Sequence, residues 1–243
     1  IHFGIDLMDS NAQNNSQITS LSFLQNFSNL ESLVLRGFHT IEDFSPLSSL
    51  ERLKELDLCF TEISNMQVLS QLKELKKLDL CCTSVTEIQA LSNLTNLTDL
   101  DLSHTAVLGL QVLSNLTSLR KLDLSYLDYD FSNLKFLAKL VELRELNLSV
   151  SNVSDIRVLS NLTELRELNL LETNVSDIRV LANLSNLAKL NLSMTDVSDI
   201  RPLSNLTNLA ELDISEMNVA DIRALSNLTN LTKLILCGTS VID

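Results

Sequence analysis

The chain has 243 residues, 45% of them hydrophobic but only 4% aromatic and none tryptophan, and it carries a formal net charge of −13 at pH 7. An interior built from aliphatic side chains is implied, and the acidic balance argues against a nucleic-acid backbone or an anionic membrane as partner, because both reward clustered Lys and Arg. No stretch approaches the roughly eighteen consecutive apolar residues of a spanning helix, and the N-terminus lacks the charged-then-apolar profile of a signal peptide, so no membrane insertion is expected.

Residues 1 to 23 read as a degenerate first repeat. Ile5-Asp6-Leu7 has the pattern of its strand, Ile18 to Leu21 that of the segment after it, and the polar run Asp9 to Gln17 between them reads as a loop. From Leu24 onward one unit recurs, with matching leucines at Leu24, Leu47, Leu69, Leu91, Leu113, Leu137, Leu159, Leu181, Leu203 and Leu225, mostly 22 residues apart. Within a unit, apolar residues fall at the spacing of Leu159, Leu162, Leu165, Leu168, Leu170, Val175 and Ile178. The three-residue steps suit a tight or short helical turn, and Leu-x-Leu has the two-residue period of a strand. A unit this short cannot bury its own leucines and must stack on its neighbours. Residues 24 to 243 are therefore expected to form one continuous solenoid of about ten repeats, with strands at Leu33-Val34-Leu35, Leu56-Asp57-Leu58 and so on to Leu234-Ile235-Leu236. Those strands would pair in a parallel sheet on the concave face, about 4.8 Å apart, with short helical or 3-10 turns on the convex face.

After each strand the chain must turn, at a position filled by Thr61, Thr83, Thr105, Ser151, Thr173, Thr195 and Thr239. A small hydroxyl there can satisfy backbone groups that the bend leaves buried, which Met217 cannot do. Pro46 and Pro202 each precede a first-position leucine, where a helical turn can begin without a backbone donor. The chain starts without Met and stops partway through a V-S-D-I segment, as expected of a piece of a longer protein.

Cys59 and Cys81 hold the same column in adjacent units, so a bridge between them is conceivable, although parallel side chains suit a disulfide poorly. With Cys82 and Cys237 they are expected to be free thiols, which favours a cytoplasmic or nuclear location, with secretion or the cell surface as the alternative.

The strings L-S-N-L-T-N-L and V-S-D-I-R-P-L, over about residues 18 to 243, resemble leucine-rich repeat proteins of the 22-residue class, found in internalins and phosphatase-regulatory proteins. The unit with Phe38-His39-Thr40 also resembles kinetoplastid repeats, and the chain departs from the families by carrying Thr where they usually carry Asn. The resemblance implies an α/β fold, a right-handed leucine-rich-repeat solenoid, that binds a partner on its concave face and has no catalytic role of its own.

Three columns should face the open side of the sheet. The central one reads Val34, Asp57, Asp79, Asp101, Asp123, Asn147, Asn169, Asn191, Asp213 and Ile235. Four successive aspartates repel one another, which a basic partner or cation would relieve, while the bland reading is an ordinary repeat spelling on a wet surface. The column before it alternates in sign, and Lys77 and Lys121 are expected to offset part of the aspartate charge. Two positions after the strand, Phe60, His104, Tyr126 and Val150 give an apolar and aromatic stretch of the kind binding hot spots use, weighed against simple rim packing. The longest unit inserts Tyr126-Leu127-Asp128-Tyr129-Asp130-Phe131, with both tyrosines of the chain, either as a binding knob or as repair of a repeat mismatch. On the outside, Asp155-Ile156-Arg157 and its three counterparts read as a solvated face.

The candidate partner-binding residues are thus Phe60, His104, Tyr126, Tyr129, Val150, Asp79, Asp101 and Asp123. His2, His39 and His104 lack metal-ligand spacing, and no nucleophile motif or phosphate loop occurs, so neither enzyme activity nor a cofactor is expected. The function expected is recognition of a protein partner, by a monomer, on units from about Leu47 to Val158. The alternatives are a passive scaffold inside a larger secreted effector or signalling protein, and a surface adhesin.

Overall fold

A computed structural model describes residues 18–127 and 133–241. The stretch 1–17, most of the expected degenerate repeat, lies outside the described residues, as does most of the insertion, Tyr129 included. The chain divides into two compact units, one of Ile1–Leu119 with Leu127–Tyr129 and one of Arg120–Tyr126 with Asp130–Asp243.

In the first unit, strands β1 (Ser32–Val34), β2 (Glu55–Asp57), β3 (Lys77–Asp79) and β4 (Asp99–Asp101) alternate with 3-10 turns at Ser22–Asn26, Ser45–Ser49, Met66–Leu69, Gln89–Asn93 and Leu110–Asn115. The strands pair in parallel and in sequence order, with Leu33, Leu56, Leu78 and Leu100 in register. In the second unit, β5 (Lys121–Asp123), β6 (Glu145–Asn147), β7 (Glu167–Asn169), β8 (Lys189–Asn191), β9 (Glu211–Asp213) and β10 (Lys233–Ile235) do the same, with turns at Lys135–Lys139, Arg157–Asn161, Arg179–Asn183, Arg201–Asn205 and Arg223–Asn227.

The three-residue leucine steps have a direct backbone cause. Leu47 N–H donates to Phe44 O at 3.0 Å, Leu50 to Leu47 at 3.0 Å and Leu53 to Leu50 at 2.9 Å. At three residues per turn such bonds eclipse side chains i and i+3, so all three leucines point to one side. That side is the interior, where Leu47, Leu50, Leu53, Leu56, Leu58, Ile63 and Met66 of the unit are all buried. Truncating one such leucine to Ala would cost about 2–5 kcal/mol, since coils on both sides lose its contacts. Pro46 and Pro202 sit at the starts of their 3-10 turns, as their missing donors require.

The strands begin one residue earlier than the Leu-x-Leu pattern predicts. The second leucine has already entered the turn: Leu58 O accepts from Thr61 N–H at 3.2 Å and from Thr61 Oγ1 at 2.6 Å. The same hydroxyl-to-leucine bond recurs at Thr83, Thr105, Ser151, Thr173, Thr195 and Thr239, between 2.5 and 2.8 Å. Met217 is buried at the equivalent place and offers no hydroxyl. On the turn side, Asn96, Asn186, Asn208 and Asn230 each donate from Nδ2 to a carbonyl of the preceding coil, at 2.7 to 2.9 Å. Repeat spelling is thus backbone chemistry: each recurring polar letter satisfies a group that stacking would otherwise strand.

Candidate functional site

The open face of each sheet is built from the three columns that alternation turns away from the leucines. In the first column, Lys77 Nζ lies 3.0 Å from Glu55, Lys121 Nζ 3.0 Å from Glu145 and Lys189 Nζ 2.9 Å from Glu167. Lys77 and Lys121, expected to offset part of the aspartate charge, thus each reach along their own column to a glutamate one coil away.

The central column is half-buried and serves the backbone. Asp57, Asp79, Asp101 and Asp123 each accept through Oδ1 from the N–H two residues on, at 2.8 to 3.0 Å. Asn147, Asn169 and Asn191 accept in the same way at 2.9 to 3.1 Å. Either side chain makes this local turn, so Asp and Asn interchange along the column. The remaining polar atoms face outward, and Asn147 Nδ2 donates to Asp123 Oδ2 at 2.9 Å.

Arg36 escaped sequence reasoning, and it meets much of the aspartate repulsion from within the chain. Its Nε donates to Asp57 Oδ2 at 2.9 Å and its Nη2 to Asp79 Oδ2 at 2.5 Å. Burial opposes the guanidinium charge, but Asp57 and Asp79 outweigh it and hold Arg36 above its ordinary value. Burial nevertheless pushes Asp79 up to about 6, with Asp57 and Asp101 adding to the rise against the Cys81 N–H and Arg36. One cation therefore relieves the stacked acids only in part.

The third column has a property absent from the sequence reading. Phe60, Cys82 and His104 in the first unit, and Tyr126, Val150, Glu172, Met194 and Glu216 in the second, all lie in the left-handed region with φ between 52° and 57°. The chain turns back there after each strand, and a β-turn with positive φ at its third residue ordinarily takes Gly or Asn. Gly37 and Gly238, at φ 77° and 69°, hold the equivalent positions and were the one available signal. Of the candidates in this column, Phe60 and Tyr126 are 41% and 43% exposed, His104 is exposed and Val150 half-exposed; Met194, which was not a candidate, is 52% exposed. In the second unit Tyr126 and Val150 neighbour one another, Tyr126 N–H donating to Ser149 O at 3.1 Å. In the first, Asp79 and Asp101 are register partners.

Along β5 to β10 the face holds a shallow groove of about 370 Å³. Its floor is the Asn147, Asn169 and Asn191 amides, bordered by Lys121, Lys189 and Glu167. It reaches farther along the chain than the Leu47 to Val158 centre expected from sequence. On the turn side, Asp155, Asp177, Asp199 and Asp221 each accept from the N–H of the Arg two residues on, and that arginine folds back onto the same carboxylate. Those bonds hold the four carboxyls down at about 2.

No helix among the described residues is long and apolar enough to cross a membrane, and no group of three or more His, Cys, Asp or Glu residues there is arranged to hold a metal ion. No family model and no curated protein matches the chain. Solved structures do. An internalin, InlF, of Listeria monocytogenes is 29% identical, with a TM-score of 0.84 over 93% of this chain and 66% of its own. An internalin C2 of the same organism is 29% identical, with a TM-score of 0.70 over 79% of this chain and 83% of its own. TLR13, in a complex with a single-stranded RNA, is 25% identical, with a TM-score of 0.70 over 90% of this chain and 33% of its own. The chain thus spans just under two thirds of the first internalin and one third of TLR13. Parallel three-residue strands, 3-10 turns carried by leucines three apart and the internalin likeness agree: the chain has the leucine-rich-repeat fold, in repeats of mostly 22 residues.

Proposed function

We propose that the chain is a protein-recognition module rather than an enzyme, and that the open sheet face of its second unit takes an extended polypeptide segment of the partner. The groove along β5 to β10 carries the reading. Its central amides have their Oδ1 atoms committed to the backbone, so the Nδ2 groups of Asn169 and Asn191 are left to donate outward. Three lysines and three glutamates are interspersed beside them, giving complementary sites for a segment of mixed charge and no preference for a uniformly basic one. Tyr126, Val150 and Met194 line the turn edge as apolar anchors beside this polar floor, the arrangement in which hot spots occur.

RNA, the ligand in the TLR13 complex, is the less suitable occupant. The groove lies beside Asp123 and Asp213, and the chain is acidic overall, so approaching phosphates meet repulsion with few lysines to replace their counterions. Phe60, His104, Asp79 and Asp101 on the first unit form a separate candidate contact, secondary because Arg36 already engages Asp79 along with Asp57.

The test is capture of polypeptides from an extract by the immobilised chain, followed by identification and purified rebinding. Asn169→Lys with Asn191→Lys should abolish rebinding with the circular dichroism spectrum unchanged, while Arg179→Glu on the turn face should leave it intact. Rebinding lost with Arg179→Glu and kept by the asparagine pair, or capture of RNA alone, defeats the reading.

A further inference from the structure

Three of the four cysteines meet at one place, on the first unit where β2 and β3 run into their turns. Cys59 and Cys81 occupy equivalent positions in neighbouring coils, locked by Leu58 N–H to Asp79 O at 2.9 Å and Phe60 N–H to Cys81 O at 3.0 Å. In Ser103, Ser125, Ser193 and Ser215 the same position carries a hydroxyl that donates to its own Asp or Asn Oδ1. The two coils with Cys depart from that pattern: their backbone N–H groups still bond Asp57 and Asp79, and the thiols are directed at one another. Cys81 Sγ donates to Cys82 Sγ at 3.4 Å, and on its other side it faces Cys59.

A neighbouring thiol that donates to Cys81 favours its thiolate. Cys81 is held below the ordinary thiol range chiefly by the Cys59 hydrogen bond, while burial and Asp101 oppose. Cys59 and Cys82 move the opposite way, Cys59 chiefly through its hydrogen bond to Cys81 and Cys82 chiefly through burial. Access is graded in the same order: Cys59 is buried, Cys81 and Cys82 are partly open and Cys237 is exposed. A partly open sulfur with thiolate character, backed by a buried thiol one coil away, combines the two features of an exchanging dithiol.

We propose that Cys81, with Cys59 behind it, is a thiol–disulfide exchange site for low-molecular-weight disulfides of the glutathione class. The Cys81 thiolate attacks one sulfur of R–S–S–R, forming a Cys81–S–S–R bond and releasing R–S⁻. Cys59, losing its proton to solvent, then attacks Cys81 Sγ, forming the Cys59–Cys81 disulfide and expelling the second R–S⁻. Two protein thiols are oxidised and one small disulfide is reduced to two thiols. Parallel side chains suit a disulfide poorly, but the Cys59 thiol already faces Cys81, and parallel neighbours about 4.8 Å apart lie inside the usual disulfide Cα range of about 4.4–6.8 Å, so Cys59 is assigned as the resolving group. A trans peptide fixes Cys81 and Cys82 at about 3.8 Å, short of it. The product staples β2 to β3.

The reduced full chain is incubated with oxidised glutathione at pH 7, and each cysteine is followed by mass spectrometry with fragmentation to separate Cys81 from Cys82. Cys81 should form its mixed disulfide about fivefold faster than Cys237, and the chain should end as a glutathione-free Cys59–Cys81 disulfide. Cys59→Ser, which installs the residue that neighbouring coils carry, should stop at the mixed disulfide, and Cys82→Ser should still reach the internal one. The selectivity should vanish in guanidinium. Cys237 reacting as fast as Cys81 in the folded chain, Cys59→Ser and the unsubstituted chain giving the same product, or undiminished selectivity after denaturation would each overturn the proposal.

Discussion

Arg36 Nη2 meets Asp79 Oδ2 at 2.5 Å although the two residues lie two coils apart, so a guanidinium beside β1 spans β2 to reach β3. Even so, Asp79 stays protonated up to about 6, well above an unfolded aspartate at about 3.9. Between those values the folded chain holds a proton that the unfolded chain has released, so stability falls as pH rises from about 4 to 6 and is level above. The group is partly open to solvent, so the fall is expected to be about 1–2 kcal/mol rather than the full shift. Asp79→Asn keeps an acceptor for the Cys81 N–H, as Asn147 does for Ser149, and should remove that slope while raising stability at pH 7. Urea unfolding at pH 4.5 and pH 7 checks it; a variant with the same slope as the parent assigns the titration elsewhere.

The buried hydroxyl of Thr105 donates to Leu102 O at 2.5 Å. Thr105→Val keeps the shape and removes the donor, and should cost about 1–2 kcal/mol with the spectrum of the fold retained. An equal loss is expected from Thr173→Val, whose bond to Leu170 O measures 2.8 Å. Chemical denaturation of either variant at unchanged midpoint would show that backbone donors suffice at the turn.

Val150, at φ 52°, is the β-branched member of the left-handed column. Such a residue is strained there by about 1–2 kcal/mol, so Val150→Gly should raise the unfolding midpoint despite the extra freedom glycine gives the unfolded chain. Gly37, at φ 77°, predicts the opposite sign: Gly37→Val should lower stability by about 1–2 kcal/mol. Thermal melts of the pair test the column together, since both changes moving the same way would contradict it.

How far the sequence could be read follows from what each residue answers to. Leu47, Leu50 and Leu53 gave away the 3-10 turn and the interior because periodicity is a property of the chain alone. Thr61 could be assigned its backbone bond for the same reason, the acceptor being three residues away. Arg36 could not be read: its acids lie 21 and 43 residues on, and nothing in R-G-F-H suggests a side chain that runs across coils. Nor could the direction of Lys77, since Glu55 and Asp57 are equally near in sequence and only the sheet geometry chooses between them. The left-handed column was legible at Gly37 and Gly238 alone, and eight larger residues concealed it.

Tyr126 separates stability from binding. Its backbone is at φ 53° and its ring is 43% exposed at the edge of the second unit's sheet, so the fold gains little from a side chain that costs it backbone strain. If the edge column anchors a partner segment, Tyr126→Gly should weaken rebinding about tenfold, the effect of losing one aromatic anchor, while the unfolding midpoint holds or rises. Met194→Gly, at φ 57° and more open, should behave alike but lose less, since a flexible thioether anchors less rigidly than an aromatic ring. Rebinding constants measured beside melting curves decide it: binding and stability falling together would mean that these side chains pack the rim, and unchanged binding would leave the asparagine floor of the groove as the contact.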